Sequence, residues 1–183
     1  MADELRKRLL EQFRWIDPGP QATHLVSDVS GWWRDREILA RVGPALAELF
    51  RAERPTVVVA PEVTGLMLGP LVAVALGVGF VPAYKGQGER MIAEPTTWGT
   101  TPPDYRGRTL ALGVRDRHLG PGDRVLVVDD WVATGAQLRA LYQVISARAA
   151  EPVGTAAVVA DCSAELATEL RVRAILAGND LGP

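Results

Sequence analysis

The chain is poor in cysteine, since Cys162 is the only one among its 183 residues. An intrachain disulfide needs two cysteines, so the sequence excludes one, and it also excludes a zinc site built from several thiolates. Disulfide-free chains are typical of reducing compartments. We therefore predict a cytoplasmic protein.

A long uninterrupted apolar run is also missing. The most apolar stretch, Gly65–Val81, contains Pro70 and further glycines, and it is shorter than the ~20 residues that a membrane-spanning helix needs. The first residues, Met1–Phe13, are charged throughout and do not resemble a secretory signal. We expect no membrane partner.

Charge of one sign is not in excess either. Twenty basic residues face twenty-two acidic ones, for a net charge of -2. Such a balance provides no overall positive field to attract nucleic acid, so we predict no nucleic-acid partner. The length is that of one domain, which we assign to residues 1–183.

Unbroken runs of valine, leucine and isoleucine alternate with helical patterns. Unbroken apolar runs predict strands that are covered on both faces, and alternation with helices predicts parallel connections. The predicted fold class is α/β, a doubly wound, mostly parallel sheet whose ligands bind beyond the carboxyl ends of the strands. The predicted strands are Thr56–Ala60, Gly79–Tyr84, Val125–Val128, Val153–Ala160 and, more weakly, Val172–Leu176; the predicted helices lie near Leu5–Phe13, Asp35–Phe50, Gly65–Leu76 and Gln137–Ala149.

Two local features qualify this pattern. Pro44 lies inside the second helix and should kink or divide it. Residues 86–107 are rich in glycine and proline and show no periodicity. Long segments of this kind in compact domains are often lids, so we predict a flexible lid loop at 86–107.

The segment Asp123–Leu141 carries the strongest chemical signal. An apolar strand ends in Asp129 and Asp130, Thr134-Gly135 follows, and a helix begins near Ala136. Backbone amides of such a turn and the helix N-terminus form a cradle for a phosphate. Carboxylates next to it can accept hydrogen bonds from vicinal hydroxyls or hold a divalent cation. Together these features indicate a sugar phosphate, although two acids and Thr-Gly also occur at solvated strand ends and helix caps.

The same segment, VLVVDDWVATGAQL, resembles the phosphoribosyl pyrophosphate signature of type I phosphoribosyltransferases. The resemblance implies that Asp129 and Asp130 hold the ribose hydroxyls as catalytic residues. Where the family usually has glycine and threonine or serine, this chain has Ala136 and Gln137. The residues that the resemblance assigns to the 5-phosphate are Ala133, Thr134, Gly135, Ala136 and Gln137.

A second stretch, APEVTGLMLGPLVAVALGVGFVPAYK, is similar to the adenine phosphoribosyltransferase subfamily. It implies a further catalytic residue, Lys85, and Mg²⁺ as the cofactor. Thr64 replaces an arginine that family members usually carry. The residues implied for pyrophosphate binding are Glu62, Val63, Thr64, Gly65 and, in the lid, Arg90.

The resemblance also implies a small N-terminal hood, at residues 1–34, that binds the acceptor. Val26 and Ser27 take the place of the aromatic–basic pair that holds adenine in the subfamily, and Gly113 takes the place of a glutamate. Trp15, Trp32 and Trp33 either stack on a small planar acceptor or simply pack the hood. A homodimer is implied as well.

These features predict an enzyme that transfers the 5-phosphoribosyl group of phosphoribosyl pyrophosphate to a purine or related base. One alternative is the same transfer to a non-purine or specialised-metabolite acceptor. Another is a ligand-sensing regulator on the same fold, although no basic cluster or helix-turn-helix segment supports it. A Rossmann enzyme is disfavoured because neither a G-x-G-x-x-G turn nor a P-loop is present.

Overall fold

The computed structural model describes residues 2–20, 25–86, 94–103 and 108–182. In this part of the chain, helices cover both faces of a seven-stranded sheet, and a separate two-stranded sheet lies near the N-terminus. The strands are β1 (Arg14–Ile16), β2 (Val26–Asp28), β3 (Val57–Pro61), β4 (Gly79–Gly86), β5 (Thr96–Thr100), β6 (Ala111–Arg115), β7 (Arg124–Val132), β8 (Glu151–Ala160) and β9 (Val172–Ala177). The α-helices are α1 (Ala2–Gln12), α2 (Ser30–Arg34), α3 (Arg36–Glu48), α4 (Gly65–Leu76), α5 (Ala136–Ala147) and α6 (Ala164–Glu169).

The large sheet is mixed but mostly parallel. Its strand order is β5-β6-β4-β3-β7-β8-β9. The five strands from β4 to β9 in that order pair in parallel, whereas β6 runs antiparallel to β4 and β5 antiparallel to β6. The predicted fold class is confirmed, and the five predicted strands are the five parallel ones.

Alternate residues of the central strands serve two separate hydrophobic clusters. Val58 and Leu126 belong to the cluster that contains the buried residues of α1, α3 and α4. Val59 and Val127 belong to the cluster that contains the buried face of α5. Since successive strand residues point to opposite faces, a strand buried on both faces needs an unbroken apolar run.

Helix α3 begins after Asp35, whose Oδ1 accepts hydrogen bonds from the amides of Glu37 and Ile38 at 2.8 and 3.2 Å. This is the usual N-cap arrangement. Pro44 lies within the helix, which continues through it to Glu48. Of the two predicted effects of Pro44, the division of the helix is therefore wrong, and the kink stays a prediction.

The N-terminal segment packs on the main sheet through aromatic rings. In the small sheet, Trp15 of β1 pairs with Ser27 of β2. The indole Nε1 of Trp15 donates hydrogen bonds to the carbonyl oxygens of Leu181 and Gly182, at 3.2 and 2.6 Å. Its ring also contacts Phe13 edge-on, with centroids 5.1 Å apart. These contacts fix the small sheet beside the end of the chain.

The predicted lid is only partly irregular. Thr96–Thr100 is strand β5, paired with β6, so the prediction of a loop is wrong for these residues. The glycines here allow close packing: the Trp98 ring lies against Gly86 and Gly113, and Gly99 lies against the Ala140 carbonyl. Residues 87–93 and 104–107 lie outside the described part of the chain.

Within the described ranges, the structure contains no helix that is both long and apolar enough to cross a membrane.

Candidate active site

The acid pair lies inside strand β7 rather than after it. Strand β7 pairs with β8 as far as Val132, opposite Ala160, so it is longer than the predicted Val125–Val128. The amide of Asp130 donates a 3.0 Å hydrogen bond to Oδ1 of Asp129. The side chains of the two acids lie close enough to interact, since a hydrogen bond with Asp130 is one cause of the raised pKa of Asp129.

Asp129 and the predicted phosphate loop line one cavity of about 150 Å³. The structure thus brings Asp129 together with all five residues that the sequence assigned to the 5-phosphate. Asp130 is not among the residues that line it. We call this space the cradle; its lining residues are Asp129, Trp131, Val132, Ala133, Thr134, Gly135, Ala136, Gln137 and Leu138.

Helix α5 begins at this cradle. Gly135, the residue before the helix, has φ of 69°, a left-handed conformation that glycine adopts readily. The first amide to bond back within this turn is that of Arg139, which donates to the Gly135 carbonyl at 2.9 Å. Among the described residues, the preceding amides of the helix have no backbone partner, as at any helix N-terminus, although the Ala136 amide makes a long, 3.4 Å contact with Thr134 Oγ1. This end of α5 is suited to an anion.

The cradle's carboxylate is electrostatically unusual. Burial raises the pKa of Asp129 well above its ordinary value, and the neighbouring charge of Asp130 raises it further. The positive charge of Lys85 acts in the opposite direction on this pKa. A partner that offers hydrogen-bond donors or positive charge therefore stabilises the ionised form of Asp129.

The residues assigned to pyrophosphate lie at the ends of the neighbouring strands. Glu62 follows β3, and its Oε2 accepts a 2.8 Å hydrogen bond from the Lys85 amide at the end of β4. Gly65 starts α4, where an added Cβ would lie 3.4 Å from the Val128 carbonyl of β7. Val63 is 72% exposed. The loop from Glu62 to Gly65 is thus next to the acid pair.

The loop from Glu62 to Gly65 has two further features. The peptide bond between Glu62 and Val63 is cis. Thr64 precedes α4 without a side-chain capping hydrogen bond, so its hydroxyl does not occupy the helix N-terminus. Arg90, the fifth residue assigned to pyrophosphate, lies outside the described residues.

The residues assigned to the acceptor are on β2. Val26 and Ser27 are both exposed. Trp32 is 1% exposed, and its Nε1 donates to the Leu9 carbonyl at 2.9 Å, so it packs the core and cannot stack on an acceptor. Gly113 is in β6, where an added Cβ would meet the Trp98 ring at 2.5 Å.

Two residues of the cradle region were not predicted from the sequence. Trp131 lines the cradle and stacks on Phe13, with ring centroids 5.9 Å apart. Arg139 donates from Nη1 to the Thr134 carbonyl at 3.3 Å while its other nitrogens bind Glu169 at 2.8 and 2.7 Å. The position of Trp131 directly after the acid pair was a usable signal, whereas the pairing of Arg139 depends on the distant α6.

This chain is similar to known proteins in both sequence and fold. A family model described as "Phosphoribosyl transferase domain" matches residues 34–175. The adenine phosphoribosyltransferase of Desulfitobacterium hafniense is 33% identical over 141 residues, covering 77% of this chain and 79% of that protein. The xanthine phosphoribosyltransferase of Brevibacillus brevis is 34% identical over 129 residues, covering 68% and 63%.

A solved structure agrees. The crystal structure of adenine phosphoribosyltransferase from Rhodothermus marinus has a TM-score of 0.79 and 26% identity, covering 96% of this chain and 99% of that one. This chain belongs to the phosphoribosyltransferase family. It is an enzyme that transfers the phosphoribosyl group of phosphoribosyl pyrophosphate to a nitrogenous base and releases pyrophosphate. The predictions of fold, family and reaction type are confirmed.

Proposed function

We propose that the acceptor is a purine base and that the cradle holds the ribose 5-phosphate part of the donor. One observation carries the assignment of the donor: the Asp129 carboxylate and the N-terminus of α5 line the same cavity. A carboxylate accepts hydrogen bonds from hydroxyls, and helix amides donate to a phosphate. A ribose 5-phosphate presents both groups. The purine is supported by the relatives, which are named for adenine or xanthine.

In this proposal the donor's phosphate binds the loop from Ala133 to Gln137. Asp129 and Asp130 accept hydrogen bonds from the ribose hydroxyls and fix the sugar. Bond breaking at C1 builds positive charge on the ribose, which the two nearby carboxylates favour. Fixed charges of this kind act without reorganisation during the reaction.

The leaving group lies on the β3 side of the sugar. Lys85 and the amides of the Glu62–Gly65 loop stabilise the negative charge that develops on pyrophosphate. Position 64 is threonine and not arginine, so it adds no second positive charge here. Lys85 therefore stabilises a larger share of the negative charge on pyrophosphate than it would beside a second cation. Arg90 remains a predicted pyrophosphate contact.

Mg²⁺ is compatible with these residues. Within the described part of the chain, no group of three histidine, cysteine or acidic side chains is placed to hold a metal ion. Magnesium usually binds through one or two carboxylates together with substrate phosphates and water, and the adjacent Asp129 and Asp130 fit that need. When bound, the ion would neutralise charge on the pyrophosphate.

Calorimetric titration with phosphoribosyl pyrophosphate and Mg²⁺ tests the donor site. We expect Asp129→Asn combined with Asp130→Asn to weaken binding by roughly 100-fold, because two hydrogen bonds to charged groups are changed. The matched control is Glu48→Gln, which removes one exposed acid on α3. Undiminished binding by the double variant would refute the assignment.

A panel of acceptors, scored by pyrophosphate release, tests the purine. We expect turnover with adenine, xanthine, hypoxanthine or guanine. Turnover restricted to pyrimidines or to non-nucleobase amines would instead support a specialised acceptor. Binding of the donor without turnover of any acceptor would support a ligand-sensing regulator.

We further propose a homodimer through helix α4. Met67 and Val74 are seven residues apart on this helix, so they share one face of it, and they are 43% and 81% exposed, which leaves both side chains available to a partner. Light scattering of the purified protein is expected to give twice the chain mass. Met67→Glu with Val74→Glu should shift it to the monomer.

The proposed compartment is the cytoplasm. Cys162 is free, and a chain without disulfides tolerates a reducing environment. Fractionation of the cells that express the protein is expected to recover it in the cytosolic fraction.

A further inference from the structure

One face of helix α6 supports the loop Ala133–Gln137 of the cradle. Leu166 of this helix lies against Gly135, where an added Cβ would be 2.8 Å from the leucine side chain. Glu169 binds Arg139 of α5 through both carboxylate oxygens, at 2.8 and 2.7 Å. Residues three apart share one face of a helix, so the same face of α6 provides both contacts.

Arg139 connects this face of α6 to the backbone of the loop. Its Nε and Nη2 bind Glu169, and its Nη1 donates to the Thr134 carbonyl at 3.3 Å. A guanidinium is planar and its nitrogens are fixed relative to one another. The two bonds to Glu169 therefore set the direction of the third. The hydrogen bond with Arg139 also lowers the pKa of Glu169, so the pair is charged at neutral pH.

The Thr134 carbonyl belongs to the same peptide unit as the Gly135 amide. This peptide bond is trans, and in a trans peptide the C=O and N–H bonds point in opposite directions. The hydrogen bond from Arg139 to the carbonyl therefore fixes the Gly135 amide on the other side of the loop. Both Thr134 and Gly135 line the cradle.

The direction of this amide needs such support. Glycine adopts positive and negative φ about equally well, so residue 135 alone does not hold its peptide in one orientation. The side chains of Arg139 and Glu169 are 41% and 48% exposed. An exposed ion pair contributes little to overall stability. Loss of the pair should therefore change the local geometry of the loop and leave the fold intact.

We propose that Arg139 is a positioning residue, which is bound by Glu169 and holds the Thr134 carbonyl so that the Gly135 amide faces the 5-phosphate of the donor. This rests on the proposed function of the cradle. Arg139 does not itself bind the phosphate, because Glu169 balances its charge and occupies two of its nitrogens. The 5-phosphate is remote from C1, where the bond breaks. Its binding therefore stabilises the ground state and the transition state equally.

Titration with ribose 5-phosphate tests the role of the pair. Glu169→Ala removes the acid, keeps a good helix former on α6 and leaves Arg139 charged. We expect it to weaken ribose 5-phosphate by roughly three- to fivefold. The KM for phosphoribosyl pyrophosphate should rise by the same factor with kcat unchanged, as expected when uniform binding is lost. If Arg139 instead bound the phosphate directly, its release from Glu169 would strengthen binding, and the proposal would be wrong.

Arg139→Lys separates positioning from charge. Lysine keeps the positive charge, but its single nitrogen cannot bind both Glu169 oxygens and the Thr134 carbonyl in a fixed geometry. We expect this variant to weaken ribose 5-phosphate as much as Glu169→Ala does. The double variant should be no weaker than either single one, because the two residues act through one contact. Wild-type affinity in Arg139→Lys would show that only the charge matters.

The matched control is Glu151→Ala. Glu151 pairs with Arg124 at 2.6 Å, and Arg124 also donates to a backbone carbonyl, that of Glu53. This second pair lies at the start of β7, at the opposite end of the strand from the cradle. Its loss should change neither the affinity for ribose 5-phosphate nor KM. An equal loss of affinity in Glu151→Ala would assign the effect to general destabilisation and overturn the proposal.

Failure of this inference differs from failure of the proposed function. If wild-type protein does not bind ribose 5-phosphate, the cradle assignment fails and the role of Arg139 fails with it. If wild type binds ribose 5-phosphate and both Glu169→Ala and Arg139→Lys bind it equally well, the cradle assignment survives and the positioning role is refuted.

Discussion

The Lys85 amide donates a 2.8 Å hydrogen bond to the Glu62 carboxylate. The Glu62 amide in turn donates to the Ala83 carbonyl at 3.0 Å. Together the two hydrogen bonds join the end of β3 to β4. The backbone of Lys85 is therefore held in place, and the positive charge of its ammonium group lowers the pKa of Asp129. In the function proposed above, both the leaving-group side and the sugar side of the site depend on the position of Lys85.

Removal of the Lys85 charge should affect both sides. We expect Lys85→Met to lower kcat by about 100-fold, a typical cost for loss of a group that stabilises transition-state charge. The pKa of Asp129 should rise further, because the charge that lowers it is gone. The pH dependence of donor binding would reveal this rise. Lys85→Arg keeps the charge and should retain the wild-type pH profile; an unchanged profile in Lys85→Met would contradict the prediction.

Asp129→Asn should stabilise the unliganded protein at neutral pH. The folded state keeps the Asp129 proton at pH values where the unfolded chain, with a pKa of about 3.9, has lost it. Wild-type stability therefore falls as the pH rises from that value through the raised pKa of the folded state. Asparagine does not ionise and escapes this loss.

The measurement is Tm as a function of pH. We expect the Tm of Asp129→Asn to exceed that of wild type at pH 7 and the difference to shrink toward pH 4. The same variant should bind the donor more weakly. A difference in Tm that is constant with pH would show that ionisation of Asp129 is not its cause.

Gly135→Ala should damage both stability and phosphate binding. The residue has φ of 69°, and an added Cβ would lie 2.8 Å from the Leu166 side chain. We expect a loss of about 1 kcal/mol or more from the backbone conformation alone. Urea denaturation and titration with ribose 5-phosphate measure the two effects. Gly120→Ala, where an added Cβ meets nothing within 4 Å, is the control and should be close to neutral.

Gly113→Ala should destabilise the protein through Trp98. An added Cβ would lie 2.5 Å from the indole ring, and overpacking of this kind costs about 1–3 kcal/mol. Combining it with Trp98→Ala removes the clash, so the double variant should be more stable than the sum of the single changes predicts. Strict additivity in urea denaturation would show that the ring moves aside without cost.

Strands β3, β7 and β8 were predictable because burial on both faces leaves an unbroken apolar signal, as in Val125–Val128. Strand β5 was not, because Thr96–Thr100 is short, contains a glycine and has only one neighbour within the large sheet. Its glycine, Gly99, packs against the Ala140 carbonyl, and Trp98 of the same strand packs against Gly86 and Gly113. Contacts that span the sheet leave no periodicity in the local sequence.

The site was predictable where its residues are consecutive. The acid pair near the end of β7 and the predicted phosphate loop follow one another along the chain, so their order in the sequence already implies a cradle. Arg139 gave no such signal, because its partner Glu169 lies on α6, which follows the next strand of the chain.

Trp131 belongs both to the wall of the cradle and to the aromatic cluster of Phe13 and Trp15. Its indole is thus an intrinsic fluorophore whose surroundings change when the neighbouring cavity fills. Emission from this ring can follow ligand entry in a stopped-flow instrument without any added dye, and Trp131→Phe supplies the background signal of the four other tryptophans.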